Sequence, residues 1–326
     1  GAGRADSRPA HRRLSADPAR ESRRLQEADG RPDGPGERVR LTSVVVLPSV
    51  AFSVTDAART SVAKPEAKVA GKPKVAPKVR VTGPNTAVNE LDGAELVWIP
   101  AGKFLRGAPK APCSPRDARP VREIELDGYW IYKHPVTFGE YRKVMEKAGK
   151  KANPVDFGHP YADRTMVLLS WNESQEYAEL VGASLPTEAQ WERAARGTFK
   201  EPVRYPWGDA WEPDRVCCQE LLEKGGVRPD QSFEIGKFPK GASTFGVEDL
   251  IGGSFEWVGD WYDADYYKTS PTKNPQGPET GRFKVLKGGD SNYGSDFAQI
   301  GFRMICLPDV RGWVKTQFRC VINAEK

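Results

Sequence analysis

Past residue 90 the apolar positions fall into short alternating runs broken by glycine and proline, and helical spacing is confined to a middle stretch. Leu96-Val-Trp-Ile-Pro100 reads as a strand stopped by proline, with Gly102-Lys-Phe-Leu-Arg-Gly107 as its hairpin partner. Arg122–Tyr132 alternates through Leu126 and runs on into aromatic residues, which predicts a single strand. Three helix starts follow. Thr137 with Glu140 opens a helix to about Ala148, Ser170 with Glu173 one that ends at Gly182, and Thr187 with Gln190 one over Glu188–Arg196, closed by Gly197. In such a capping box the hydroxyl accepts from the third residue's N–H while the Glu or Gln side chain reaches back. Beyond Gly197, Tyr205-Pro-Trp-Gly-Asp209 predicts a turn and Ile235–Pro239 a short edge. Phe283–Gly289, Ile300–Cys306 and Gln317–Asn323 read as strands. Helices early, short strands late and long connections between them describe an α+β fold.

The first ninety residues follow another pattern. Residues 1–40, rich in Arg, Asp, Gly and Pro, are expected to form a disordered tail. Arg38-Val-Arg40 precedes a mainly apolar run from Leu41 to Val54 and small residues through Ala58. This 41–58 segment fits an export signal, which would place the domain outside the cytoplasm, or an irregular apolar stretch of a cytoplasmic chain. It is too short to span a membrane as a helix, so no integral span is expected. Residues 59–89 read as a Lys/Pro/Ala linker and 90–326 as the folded domain. Residues 1–80 hold 17 Lys and Arg against 9 Asp and Glu, leaving 32 against 35 in residues 81–326, a net charge of −3. A mildly acidic folded part argues against nucleic acid as a partner.

The candidate chemistry gathers around Asp249-Leu-Ile-Gly252-Gly-Ser254-Phe-Glu256-Trp257. Its glycines allow a curled backbone that turns carbonyl oxygens inward beside two carboxylates, the hard donors that calcium takes. A turn that leaves both acids in solvent is the other reading of the same spacing. The five cysteines show no CxxC or Cys/His spacing for zinc, and the three histidines, His11, His134 and His159, show no ligand spacing for iron.

Several motifs then recur in one order: Trp98-Ile-Pro-Ala-Gly-Lys-Phe, His134-Pro-Val-Thr-Phe-Gly-Glu-Tyr, Leu185-Pro-Thr-Glu-Ala-Gln-Trp-Glu-Arg-Ala-Ala-Arg-Gly, Tyr205-Pro-Trp-Gly-Asp, the Asp249 stretch, Leu286-Lys-Gly-Gly and Phe318-Arg-Cys. Together they closely resemble the formylglycine-generating enzyme, or sulfatase-modifying factor, family over roughly residues 94–323. The resemblance implies a C-type-lectin-like domain with low regular secondary structure. It also implies one structural calcium held by the side chains of Asp249 and Glu256 and the carbonyls of Gly252 and Ser254. A second family calcium site is lost near Cys217. The family's oxidase uses two cysteines just after the Gly-Gly of the Lys-Gly-Gly strand, where soft thiolates hold copper. Tyr293 and Ala298 stand there in this chain, so copper-dependent formylglycine formation, and copper or iron as cofactors, are not expected. Cys306 and Cys320 align with half-cystines whose partner positions are Ala195 and Ala178, which leaves them as buried thiols or as a direct pair.

By the same resemblance, Asp290, Ser291, Asn292 and Tyr293 line the substrate floor, close to Trp257 and Arg303. Two functions of different class follow. One is a calcium-ordered module that binds a peptide, a protein or a small molecule, a pseudoenzyme of the family. The other is a non-copper, oxidoreductase-like enzyme acting on a peptide or small biosynthetic intermediate, as in relatives that mature the pyoverdine chromophore. Asp290 with Tyr293 would then supply acid–base chemistry.

Overall fold

The computed structural model describes residues 75–110, 113–151, 162–165, 167–221, 233–312 and 314–324. The tail 1–40 and the apolar segment 41–58 lie outside the described residues. All described residues belong to one compact unit, residues 63–326.

Among the described residues eleven strands form three sheets. The largest has the order β1 (Val79–Gly83), β2 (Thr86–Asn89), β3 (Glu95–Ile99), β6 (Tyr129–Tyr132) and β11 (Val321–Asn323), antiparallel throughout. A second has the order β10 (Thr316–Phe318), β7 (Phe255–Trp261), β8 (Lys284–Lys287) and β9 (Met304–Cys306), with β10 parallel to β7. The third is the pair β4 (Gly102–Arg106) and β5 (Arg122–Leu126). Helices α1 (Phe138–Lys147), α2 (Trp171–Leu180) and α3 (Glu188–Arg196) occupy the middle of the chain, and a single turn α4 (Tyr266–Thr269) follows β7. This is the mixed, loop-rich α+β architecture that the residue pattern predicts.

The three helices start where the capping boxes place them, with both reciprocal hydrogen bonds made at Thr137/Glu140, Ser170/Glu173 and Thr187/Gln190. Strand pairing is less legible. Gly102–Arg106 does not return against β3, because β2 and β6 already occupy both edges of β3; it pairs with β5 instead. Arg122–Tyr132 is two strands in two sheets, broken at Asp127-Gly128. A Cβ at Gly128 would lie 2.5 Å from the Trp98 ring, so only glycine lets the chain pass there. Gln317–Asn323 likewise splits at Arg319-Cys320, and Ile300–Cys306 keeps strand geometry only from Met304. The linker boundary also moves. β1 and β2 precede Glu90, and the buried Asn89 donates to the Tyr132 hydroxyl at 2.8 Å and the Val181 carbonyl at 2.9 Å. Residues 79–89 therefore belong to the folded sheet.

Among the described residues two large apolar clusters fill the interior, beside a small third of Ala108, Ala118 and Tyr267. One packs Tyr141, Trp171, Tyr177, Trp257 and Phe318; the other packs Ile99, Trp191, Leu250, Val258 and Ile300. Cys306 and Cys320 are free and buried, with no bond between them. The remaining cysteines are free as well.

Candidate functional site

Strand β8 ends in Gly288-Gly289, and both glycines have positive φ, +90° and +84°. A Cβ at Gly288 would meet the Leu250 carbonyl at 2.4 Å and one at Gly289 the Ala298 Cα at 2.8 Å. The double glycine thus lets β8 turn tightly against the Asp249 stretch and deliver the next loop. Asp290 anchors that loop: Oδ1 accepts from Asn292 N at 2.8 Å and Oδ2 from Lys315 N at 3.2 Å. Ser291 N donates to the Gly253 carbonyl at 3.1 Å, and the Ser291 hydroxyl accepts from Lys315 Nζ at 3.3 Å. Asn292 is exposed, and the half-buried Tyr293 packs on Phe255 and Phe297, 5.9 and 5.2 Å between ring centres. Phe297, 39% exposed, continues to Phe302 at 5.2 Å. The loop therefore offers a polar ledge beside an aromatic face. Burial pushes the Asp290 carboxyl up from its ordinary value, against the backbone donors that favour its anion.

Of the six residues assigned to a pocket, Asp290, Ser291, Asn292 and Tyr293 come together and two do not. Trp257 is fully buried in β7, its Nε1 donating to the Leu169 carbonyl at 2.9 Å, so it is core rather than wall. Arg303 is held by the buried Glu188 carboxylate through Nε at 2.7 Å and a second nitrogen at 3.1 Å. It also donates to the carbonyls of Asp117 and Asp263. The cation that the sequence placed in the pocket is spent on an internal acid. Ala298, at the second cysteine position, is buried.

The stretch from Asp249 to Glu256 curls at its two glycines. Gly252 and Gly253 have φ of +77° and +65°, and their N–H groups donate to the carbonyls of Gly288 and Cys217. Asp249 is buried. Its Oδ2 accepts from Gly236 N at 2.8 Å and faces His134 Nδ1 at 3.1 Å, while Oδ1 has no hydrogen-bond partner. Glu256 is fully buried and bound to Arg319 at 2.7 Å through each oxygen, with Trp191 Nε1 also donating to Oε2 at 2.8 Å. Glu256 is thus first the counter-ion of Arg319. A carboxylate has about four acceptor positions, so one on Oε1 stays open. The orphaned buried oxygen on Asp249 and the open position on Glu256 are hard oxygen donors of the kind calcium takes. Among the described residues no three His, Cys, Asp or Glu side chains converge as a metal-binding group.

A buried ionic network escaped the sequence reading altogether. Glu188 and Glu192, one turn apart on α3, meet Arg106, Arg196, Lys287 and Arg303. Burial pushes the Glu188 carboxyl up, but Arg303, Lys287 and Arg106 outweigh it and hold it at about 2. Asp260 accepts from Glu188 N at 2.7 Å; burial and the Glu188 charge raise it to about 6. Lys284, sealed between the rings of Trp171 and Trp261 at 3.9 and 3.8 Å, is lowered by burial to about 7. The i, i+4 acids within the otherwise apolar face of Ala189, Trp191 and Ala195 were the available signal.

A loop-rich α+β unit whose Gly-Gly strand end meets an acid-flanked glycine turn defines the sulfatase-modifying factor class. The chain belongs to this family, since the profile of the sulfatase-modifying factor enzyme 1-like domain matches residues 82–324. The serine/threonine-protein kinase Pkn1 of Chlamydia caviae is 32% identical over 216 residues, 60% of this chain and 32% of that protein. The chain thus spans about a third of the length of such relatives. The formylglycine-generating enzyme of Thermomonospora curvata is 27% identical over 292 residues, 70% of this chain and 93% of that one. Among solved structures, PvdO from Pseudomonas aeruginosa superposes with a TM-score of 0.63 at 22% identity, covering 75% of this chain and all of that one. No helix among the described residues is long and apolar enough to cross a membrane.

Proposed function

We propose that this domain is a ligand- or protein-binding module that keeps the family fold, is stabilised by one calcium ion, and has lost the formylglycine-generating centre. The observation that carries this reading is the loop after Gly288-Gly289. There Tyr293 is built into an aromatic face and Ala298 into the core, so neither position supplies a thiol. The thiols elsewhere are poor replacements. Burial pushes Cys217 up to about 11 and Cys218 to about 12, and raises Cys306 and Cys320; a hydrogen bond to Asp296 raises the exposed Cys113. A soft metal needs thiolates, and all five sites disfavour them.

The partner that suits the ledge is a peptide or small molecule with an apolar or aromatic group for Phe297 and Tyr293 and a polar end for Ser291 and Asn292. Elemental analysis of the purified protein tests the reading, with thermal melts in calcium and in chelator. Calcium near one equivalent, no copper or iron, and a melt lowered by chelator are expected. Stoichiometric copper or iron overturns it.

One observation favours the second reading, a non-copper enzyme on the same loop. Asp290 is pushed up by burial, and Tyr293 beside it is pushed up by burial and by the Asp290 charge. A carboxyl shifted upward beside a phenol is a candidate pair for proton transfer. Oxygen uptake on addition of a cysteine- or tyrosine-containing peptide, abolished by Asp290→Asn, would establish that activity.

A further inference from the structure

Gln317 lies in the interior with its acceptor unanswered. The residue is 1% exposed, and its Oε1 has no hydrogen-bond partner. A buried acceptor left open in this way calls for a donor or a cation. The parallel register of β10 and β7 sets Gln317 opposite Glu256, between the pairs Thr316–Phe255 and Phe318–Trp257. Paired residues share a face of the sheet, and successive residues alternate between faces. Phe255, Trp257 and Phe318 all enter the apolar cluster of Tyr141 and Trp171. Thr316 Oγ1 and Trp257 Nε1 both donate to the Leu169 carbonyl on that side. Gln317 and Glu256 therefore leave by the other face, side by side. Arg319 shows where that face leads, because its Nη2 donates to Glu256 Oε1 at 2.7 Å and to the Glu248 carbonyl at 2.9 Å. Glu256 Oε1 thus stands beside the backbone just before Asp249, whose Oδ1 is also buried without a partner. The strand end carrying Gln317 reaches the same place from the other side. The Phe318 carbonyl accepts from Val136 N at 2.9 Å, and two residues earlier His134 meets Asp249 Oδ2 at 3.1 Å.

We propose that Gln317 Oε1 is a further ligand of the calcium ion, beside Asp249 and Glu256. The inference rests on the calcium reading above and adds to it a residue from a separate strand. An amide oxygen is a hard, neutral donor that calcium accepts alongside carboxylates. It completes coordination without burying another charge when the ion is absent. The ion then ties β10 to the Asp249 turn.

Terbium as a calcium substitute tests this on the whole purified chain, excited through Trp191, whose Nε1 donates to Glu256. Luminescence decay in H2O and in D2O counts the waters left on the ion. Gln317→Ala leaves room for a water, so the count should rise by about one and calorimetric calcium affinity should fall about tenfold. Gln317→Glu keeps an oxygen and adds a charge. It should hold the water count of the unaltered chain and bind calcium more tightly, while melting lower in chelator. A glutamine that only packs, or that holds a buried water, would lower the melt on replacement and leave the water count on the ion unchanged. An unchanged count in Gln317→Ala, or weaker calcium binding by Gln317→Glu, overturns the proposal and leaves the calcium reading standing. An unaltered chain that binds neither ion overturns both.

Discussion

A buried charge costs several kcal/mol unless its partner stays in place, and the interior of this protein holds a set of such pairs. Arg319 and Glu256 form the most isolated one, bidentate and fully buried. Arg319→Met should destabilise the fold by about 3–5 kcal/mol in chemical denaturation, because Glu256 is then left ionised without its cation. The double variant with Glu256→Gln should recover part of that loss. Lys284 makes a different prediction. Its folded value, about 7, lies below the ordinary 10.5, so between those pH values the unfolded chain holds a proton that the native chain does not. Stability therefore rises with pH across that window, by at most about 1.4 kcal/mol per pH unit from this one group. Lys284→Met should remove the slope. Asp260 runs in the opposite sense: raised from 3.8 to about 6, it lets stability fall as pH climbs from 3.8 to about 6, where the loss is complete. Denaturation midpoints followed from about pH 4 to 10 would separate the two, since Asp260→Asn flattens only the acid side.

At the scale of single elements the capping boxes carry the argument. Each satisfies two backbone or side-chain donors at once, so Ser170→Ala should cost about 1 kcal/mol in equilibrium unfolding. The glycine turn is less forgiving. A Cβ at Gly253 would lie 1.9 Å from the Phe233 ring, in backbone with φ +65°. Gly253→Ala should lower the melting temperature and abolish any calcium-dependent shift, because the turn cannot close against the Phe233 ring. These boxes could be read in the sequence because a cap is made by residues three apart. Strand partners could not: β3 alternates equally well whichever strand it meets, and the choice of β2 and β6 over β4 depends on contacts far away in the chain.

For the molecule as a whole, the position of the first strand matters most. A chain that begins at Glu90 loses the β1–β2 hairpin and the Asn89 bonds to Tyr132 and Val181. It should melt well below one that begins at Val75, as circular dichroism would show. The linker reading failed here because β1 is largely exposed: three of its five residues are charged, polar or small, and its Val79/Val81 alternation is too short to stand out. The family itself was legible, since its motifs are local strings that occur in order. The site was legible in part. Asp290 to Tyr293 are consecutive, so their clustering is written in the chain. Arg303 and Trp257 are not near them in sequence, and only packing reveals that Glu188 claims the first and the core the second.

Short-range physics accounts for what the sequence by itself determined: helix starts, the double-glycine turn, the residues that follow it, and the ordered motifs that mark the family. The tertiary structure alone decided which acids and bases share the interior. Charge pairing depends on distance in space, and desolvation depends on what covers a group; neither is a property of spacing along the chain. Glu188, Lys284 and Glu256 read as ordinary charged residues in the string, and each is defined by the partner that folding places beside it.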